Sequence, residues 1–297
     1  MRVLIPGANG QVGRELVARA AQHGIEAVPL TRTDLDLTDA DAVEAVVQAQ
    51  RPDAVVNAAA YTAVDRAESE PDSAFAVNRD GPAALASACA HRGIPLVHFS
   101  TDYVFEGTKT EPYVEDDPVS PLGVYGQSKW AGEEAVRAAL GRHLILRVSW
   151  VFSRHGGNFV KTMLRLGRER EALRIVADQH GGPTPASAIA NAALTTLRQA
   201  AEKDDDWGTY HFCGAPFTTW HGFAEAIFDE ARTHETMAVQ TVEAIPASAY
   251  PTPAARPVNS RMNTARIART FGIAPADWRS ALADVVAAVQ PASPTVS

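Results

Sequence analysis

The first residues constrain the chain most. Arg2 to Pro6 (RVLIP) is an apolar run of strand length, GANGQVG follows it, and an amphipathic stretch runs from Arg14 to His23. Strand, glycine turn and helix in immediate succession are the context that a dinucleotide-binding fold requires. Gly7 allows the tight turn, Gly10 lets backbone approach a pyrophosphate, and Gly13 lets the helix pack closely on the strand. The amides of Gln11 and Val12 then fall at a helix N-terminus, where partial positive charge meets phosphate. The spacing is GxxGxxG rather than GxGxxG, so its context carries the reading more than its letters.

Strand and helix patterns keep alternating after this start. Glu26–Leu30 reads as a second strand; Thr31 and Arg32 follow it, where an acid for a ribose 2′-hydroxyl would stand. The Arg32 guanidinium suits a 2′-phosphate, which favours NADPH. Asp34 lies close enough to keep NADH open, and a solvated loop charge is the plain alternative for Arg32. Asp36 and Leu37 would pass near the adenine. Asp39 is placed to cap a helix over Ala40–Gln50. Asp53–Asn57 reads as the third strand, with the small residues Ala58–Ala60 after it, and a long helical pattern runs from Pro71 to Arg92. Pro95–Ser100 is the fourth strand, and Thr101 and Asp102 stand at its carboxyl end, where open α/β sheets bind ligands. Thr101 taken alone reads rather as a helix or turn cap.

Tyr125 and Lys129, in YGQSKWAGE, lie four apart at the start of a helix expected over 125–140, hence on one face. A free phenol has a pKa of about 10, and a neighbouring ammonium is expected to lower it. Such a tyrosine can give a proton to a forming alkoxide. A solvated helix face is the bland reading of the pair, and Thr101 upstream turns it into a hydroxyl, tyrosine, lysine set. The fifth strand is expected at 143–148. Trp150 follows it, either to stack on a sugar or base or to cap the core.

Beyond Val151 the alternation loosens. Helices are expected over NFVKTMLRLGRER, 185–201, 218–232, 264–271 and 276–289, with strands over LRIVADQ and GTYHFCG and a turn at HGGPTPA. AIPASAYPTPAARPVNSRM is irregular and proline-rich, and it reads as a binding loop because it carries two arginines. The expected architecture is α/β: a Rossmann-type doubly wound parallel sheet with a smaller C-terminal α/β substrate-binding portion. Residues 1–150 would form the NADP(H)-binding domain with the catalytic residues, 151–290 the mainly substrate-binding portion interleaved with it, and 291–297 a disordered tail.

Composition narrows the class. The 297 residues are 46% hydrophobic and 21% charged, ordinary for a soluble enzyme, and a net charge of −8 argues against a nucleic-acid surface. Cys89 and Cys213 lie in apolar stretches and suggest no disulfide framework. No apolar run approaches membrane-spanning length and no signal peptide is visible, so a cytoplasmic protein without a membrane partner is expected. The nine histidines are scattered, and no metal-ligand cluster is apparent.

NAAAYTAVDRAESEP, FSTDYVFEG, YGQSKWAGE, RVSWVF, NFVKTML, QHGGPTPA and RPVNSRMNT, in this order, resemble the dTDP-4-dehydrorhamnose reductases, within the extended short-chain dehydrogenase/reductase superfamily. The resemblance covers the chain to about Trp278. It implies NADPH- or NADH-dependent reduction of the C4 ketone of dTDP-4-dehydro-β-L-rhamnose. Tyr125 would be the proton donor, Lys129 would hold the nicotinamide ribose, and Thr101 would bond the reacting oxygen. Asp102 and Trp150 would contact the sugar. Cofactor contacts would come from Gly10, Gln11, Val12, Asp36, Leu37, Ala60, Tyr61, Thr62, Phe99, Tyr125 and Lys129. Arg256 and Asn259 are candidates for the diphosphate or thymidine on charge alone. Tyr61 replaces a histidine frequent in the family. Some members dimerise through magnesium held by C-terminal glutamates. Here the last helix has Asp284 as its single acid after Asp277, so a monomer or weak homodimer without magnesium is expected. The competing readings are a sister nucleotide-sugar 4-ketoreductase or epimerase, and a non-catalytic subunit like the β subunit of methionine adenosyltransferase.

Overall fold

In the computed structural model, which describes residues 1–289, β1 (Arg2–Pro6) turns through the glycines directly into α1 (Gln11–Arg19). A short 3-10 turn over Ala20–His23 extends α1 and ends at Gly24, whose φ of 66° a side chain would resist. β2 (Glu26–Leu30) follows, then α2 (Ala40–Gln50), where the Asp39 carboxylate accepts from the Ala42 N–H as its cap. β3 (Ala54–Asn57), β4 (Leu96–Thr101) and β5 (His143–Val148) complete the first half. A further strand, Gly208–His211, joins them in one parallel sheet ordered 208–211, β5, β4, β3, β1, β2. The chain leaves β1 first to one side and then to the other. The crevice at that switch point, along the carboxyl ends of the strands, is where such sheets bind ligands.

Both faces of the sheet are covered. On one, Leu16 of α1 packs with Ile189, Ala193 and Leu197 of the 186–203 helix over Val3, Ile5, Val97 and Leu146. On the other, Val43, Leu85, Cys89 and Val136 pack over Leu4, Val55, Leu96 and Ile145. Each valine, leucine and isoleucine among them contributes about 1.5–3 kcal/mol by leaving water, which is what closes the sandwich. Cys89 and Cys213 are both buried and unpaired.

The sheet does not end with residue 150. Strand 208–211 and helices 186–203 and 265–271 return from the C-terminal half to the first core. The remaining C-terminal elements form their own cluster around Phe152, Leu164, Phe223, Phe228 and Trp278. There the strand Ala172–Val176 pairs in parallel with Thr241–Ile245, a segment with little buried surface whose periodicity announces nothing. HGGPTPA is more than a turn: His180–Gly181 pairs with Thr218–Thr219, and Thr184–Pro185 with Val151–Phe152. The tail expected over 291–297 lies outside the described residues.

The Pro71–Arg92 pattern is helical but not one α-helix. Pro71–Phe75 and Gly81–Arg92 are α-helical, and Ala76–Asp80 between them is a π turn. Pro82 has no N–H to give the Asn78 carbonyl, so the regular ladder cannot pass through. The wider turn brings Asn78 fully inside, and such turns recur at functional sites.

Candidate active site

The glycine turn has the shape a dinucleotide needs. Gly7 sits at φ 80°, and a Cβ there would overlap the Ala59 backbone; one at Gly13 would overlap the Gly7 carbonyl. Gly10 caps α1 with no side chain bonded into its first turn and no acid there, which leaves the Gln11 and Val12 amides at an open helix N-terminus. The Gln11 side chain is committed elsewhere: its Oε1 accepts from Ser153 Oγ and Asn158 Nδ2, both at 2.9 Å, and ties the turn to the C-terminal portion. After β2, Asp34 folds back to accept from the Thr31 N–H (2.8 Å) and hydroxyl (2.6 Å), while Arg32 stays exposed. Asp36 is exposed and held by Thr38, and Leu37 is buried against Gly81. Ala60, Tyr61 and Thr62 follow β3, and Asn78 fixes them: its Oδ1 accepts from the Tyr61 N–H (2.8 Å) and its Nδ2 donates to the Tyr61 carbonyl (3.0 Å). The Tyr61 hydroxyl donates to Glu70.

Thr101, Asp102 and Tyr125 come together at the carboxyl end of β4. The helix Val124–Ala139 presents Tyr125 and Lys129 one turn apart, as the spacing required. The Thr101 hydroxyl donates to Asp102 Oδ1 at 3.0 Å and accepts from the Tyr103 N–H at 3.2 Å, so it is a turn cap as well as a site residue. It also stands close enough to the Tyr125 hydroxyl to favour its ionised form. Tyr103 packs edge-on against the Tyr125 ring at 5.4 Å.

The electrostatics overturn one expectation. Tyr125 is not lowered by Lys129; burial and the Asp102 charge push it up to about 12, against the pull of the Thr101 hydrogen bond. Lys129 is itself 2% exposed and turned away: its Nζ donates to the Phe99 carbonyl at 2.6 Å and lies 3.4 Å from His98 Nε2. Burial drives Lys129 down to about 8, with Glu133 one turn on pulling it back. Burial, then the nearby Lys129 and Arg137 charges, holds His98 well below its usual range, so its imidazole is neutral. A phenol at about 12 keeps its proton at neutral pH, which suits a donor better than a base.

Asp102 is pushed up to about 6 by burial, although Ser260 and Thr101 favour its charge, and its Oδ2 has no hydrogen-bond partner among the described residues. The sign of the resulting stability effect is fixed. Below the ordinary value of 3.8 both states hold the proton. As pH rises from there to about 6 the unfolded chain releases it first, and stability falls to a constant deficit. Asp102→Asn is therefore expected to match the wild type near pH 3 and to exceed it by on the order of 2–3 kcal/mol at pH 7. Denaturant unfolding across that range checks it; a pH-independent difference contradicts it.

Sequence reasoning missed the groups that hold this set. Glu133 is fully buried, receives Arg147 at 2.9 and 2.8 Å, and also accepts from Ser100 and Arg137. Ser128 accepts from Asn78 Nδ2 at 3.0 Å, which joins the catalytic helix to the Tyr61 segment. Glu133 carried a signal: it stands one turn past Lys129 on the same face.

On the substrate side, Trp150 lies two residues beyond Val148, which pairs with Thr101. Its indole is stacked on Trp220 at 3.6 Å and 9°, so that face is closed to a sugar or base. A cavity of about 740 Å³ opens in the C-terminal portion, lined by Phe159, Trp220, Tyr250, Arg170, Arg174 and Arg256 among others. Arg256 is held by Asp65 through a two-point pair at 3.0 and 2.9 Å. Asn259 takes a different part from the one expected. Its amide donates to the Lys109 and Glu111 carbonyls and accepts from the Arg261 N–H and side chain, which leaves nothing to offer a diphosphate.

Comparison with known proteins shows the family and the fold. The family model for the RmlD substrate binding domain matches residues 1–290. The dTDP-4-dehydrorhamnose reductase of Burkholderia thailandensis is 46% identical over 289 residues, covering 95% of this chain and 97% of its own. Among solved structures, a dTDP-4-dehydrorhamnose reductase from Clostridium acetobutylicum superposes with a TM-score of 0.90 at 34% identity, over 98% of this chain and all of that one. The Bacillus anthracis enzyme of the same name, in complex with NADP, gives 0.88 at 36% identity, over 96% and 98%.

Proposed function

The chain belongs to the dTDP-4-dehydrorhamnose reductase family, and on that premise we propose that it reduces the C4 ketone of dTDP-4-dehydro-β-L-rhamnose to dTDP-β-L-rhamnose, with NADPH as reductant. The observation that carries the reading is a protonated tyrosine beside a threonine hydroxyl that bonds a buried aspartate, at the carboxyl end of a sheet whose glycine turn is open to phosphate.

The nicotinamide supplies the hydride when bound; the rest is the protein's work. The amides of Gln11 and Val12 hold the diphosphate, with Gly7, Gly10 and Gly13 permitting its approach. Asp36 and Leu37 border the adenine, Arg32 takes the 2′-phosphate, and Ala60, Tyr61, Thr62 and Phe99 line the route to the ribose. Lys129 holds that ribose. Tyr125 gives its phenolic proton to the C4 oxygen as charge grows there, and Thr101 aims a second donor at the same atom. Asp102 and Trp150 orient the sugar, and the cavity beside Trp220 and Arg256 receives the nucleotide. The complete trio of Thr101, Tyr125 and Lys129, two of them buried, weighs against a retired site in a binding subunit.

That the last described helix, Trp278–Ala288, carries Asp284 as its single acid supports a monomer or weak homodimer without a magnesium bridge. Among the described residues no helix is long and apolar enough to cross a membrane. A cytoplasmic place follows from its need for reduced cofactor and activated sugar.

Absorbance at the nicotinamide band tests the reading. NADPH is consumed only when the 4-keto sugar nucleotide is present; a protein that binds NADPH and leaves every 4-keto sugar nucleotide untouched would refute it. Arg32→Ala is expected to raise the KM for NADPH by about tenfold and leave that for NADH unchanged, as loss of a charge-assisted contact requires. Equal changes for both cofactors would take the 2′-phosphate away from Arg32.

A further inference from the structure

Trp150 is held in place with more effort than a core-capping residue needs. Its backbone sits at φ 48°, a left-handed conformation rare for a large side chain. The Thr184 N–H donates to its carbonyl at 3.0 Å and pins that geometry. One face of the indole is stacked on Trp220, which itself leans on Phe159 at 4.7 Å. Gly181 abuts the same indole so closely that a Cβ would overlap Cε2, Nε1 and Cζ2. Trp220 and Gly181 are not independent. The ladder that pairs Thr218 with Gly181 and Thr219 with His180 runs straight into the helix that Trp220 begins. One small piece of the C-terminal portion therefore touches Trp150 through both the Trp220 ring and the Gly181 backbone. Trp220 and Phe159 also line the large cavity, whereas Trp150 belongs to the end of the sheet.

We propose that Trp220 is a positioning residue for the sugar nucleotide: with Gly181 it clamps Trp150 as a fixed wall between the sugar pocket and the cavity. This rests on the functional reading above, because the wall matters only if the sugar lies against Trp150. A clamp of this kind contributes binding in the ground and transition states alike, so its loss raises KM more than it lowers kcat.

The experiment is steady-state kinetics of Trp220→Leu, Trp220→Phe and Gly181→Ala with the 4-keto sugar nucleotide, and NADPH binding followed by fluorescence. Trp220→Leu removes the stack, and Gly181→Ala puts a methyl group where the indole now lies, so the indole must shift. Both should raise the sugar-nucleotide KM about tenfold, the upper end of what one aromatic pair contributes, with a smaller change in kcat. Trp220→Phe keeps a ring against Trp150 and should stay near the wild type. The NADPH dissociation constant should not move in any of them. If Trp220→Leu does not fold, Gly181→Ala and Trp220→Phe still make opposite predictions. Wild-type KM in Gly181→Ala, or a parallel loss of NADPH affinity, would overturn the clamp while wild-type turnover leaves the functional reading standing. An inactive wild type takes both down.

Discussion

Tyr125→Phe binds the nicotinamide cofactor as the wild type does and turns over about 10²–10⁴ times more slowly, the range for loss of a general acid. The substitution removes one oxygen. The ring keeps its edge-on packing against Tyr103 at 5.4 Å, and Lys129 keeps its bond to the Phe99 carbonyl, so the groove is left in shape. What goes is the one phenolic proton that stands beside Thr101 and is held on the oxygen up to about pH 12. Thr101 remains as a donor, but its single proton is already drawn towards Asp102. Residual activity therefore stays low. Stopped-flow turnover and a cofactor titration measure the two quantities separately; near-normal turnover with normal binding would remove Tyr125 from the role.

Arg147→Met is the second large effect, and it falls on stability. Arg147 is 1% exposed and meets the fully buried Glu133 with two hydrogen bonds. Burial alone would raise the Glu133 carboxyl, yet the Arg147 bonds and the Arg147 and Arg137 charges hold it low, so it is ionised. Without Arg147 that charge keeps, among the described residues, the hydrogen bonds of Ser100 and the partly exposed Arg137 and the more distant Lys129 charge. Breaking such a pair from one side costs about 3–5 kcal/mol, because an uncompensated charge is left inside. The double variant Arg147→Met with Glu133→Gln should recover a large part of the loss, since it buries no orphan charge. Urea unfolding of the three proteins decides it, and additive losses in the double variant would contradict the account.

The sequence made the local features legible and hid the long-range ones. The glycine turn, β1 to β5 and the Asp39 cap each depend on residues within one turn or one strand, and all stand where their patterns put them. The four-residue spacing placed Tyr125 and Lys129 on one face. It could not tell that Lys129 would turn to Phe99 and His98, 30 and 31 residues away, and so leave Tyr125 to Asp102 and burial. Arg256 looked free because its partner, Asp65, is 191 residues distant. Asn259 looked like a ligand group because its carbonyl partners lie in a loop that leaves no sequence trace. The π turn at Ala76–Asp80 adds to a helical pattern without breaking it; Pro82 was the one clue. Trp150 was open between stacking a ligand and capping the core. The structure gives its face to Trp220, a residue that lies in another core altogether.

Isotope transfer tests the central claim most directly. NADPH carrying deuterium at the nicotinamide C4 is incubated with the protein and dTDP-4-dehydro-β-L-rhamnose, and the sugar is read by NMR. The account predicts deuterium at C4 of the sugar and dTDP-β-L-rhamnose as the product. Label at any other carbon, its loss to solvent, or the C4 epimer as the main product would contradict it.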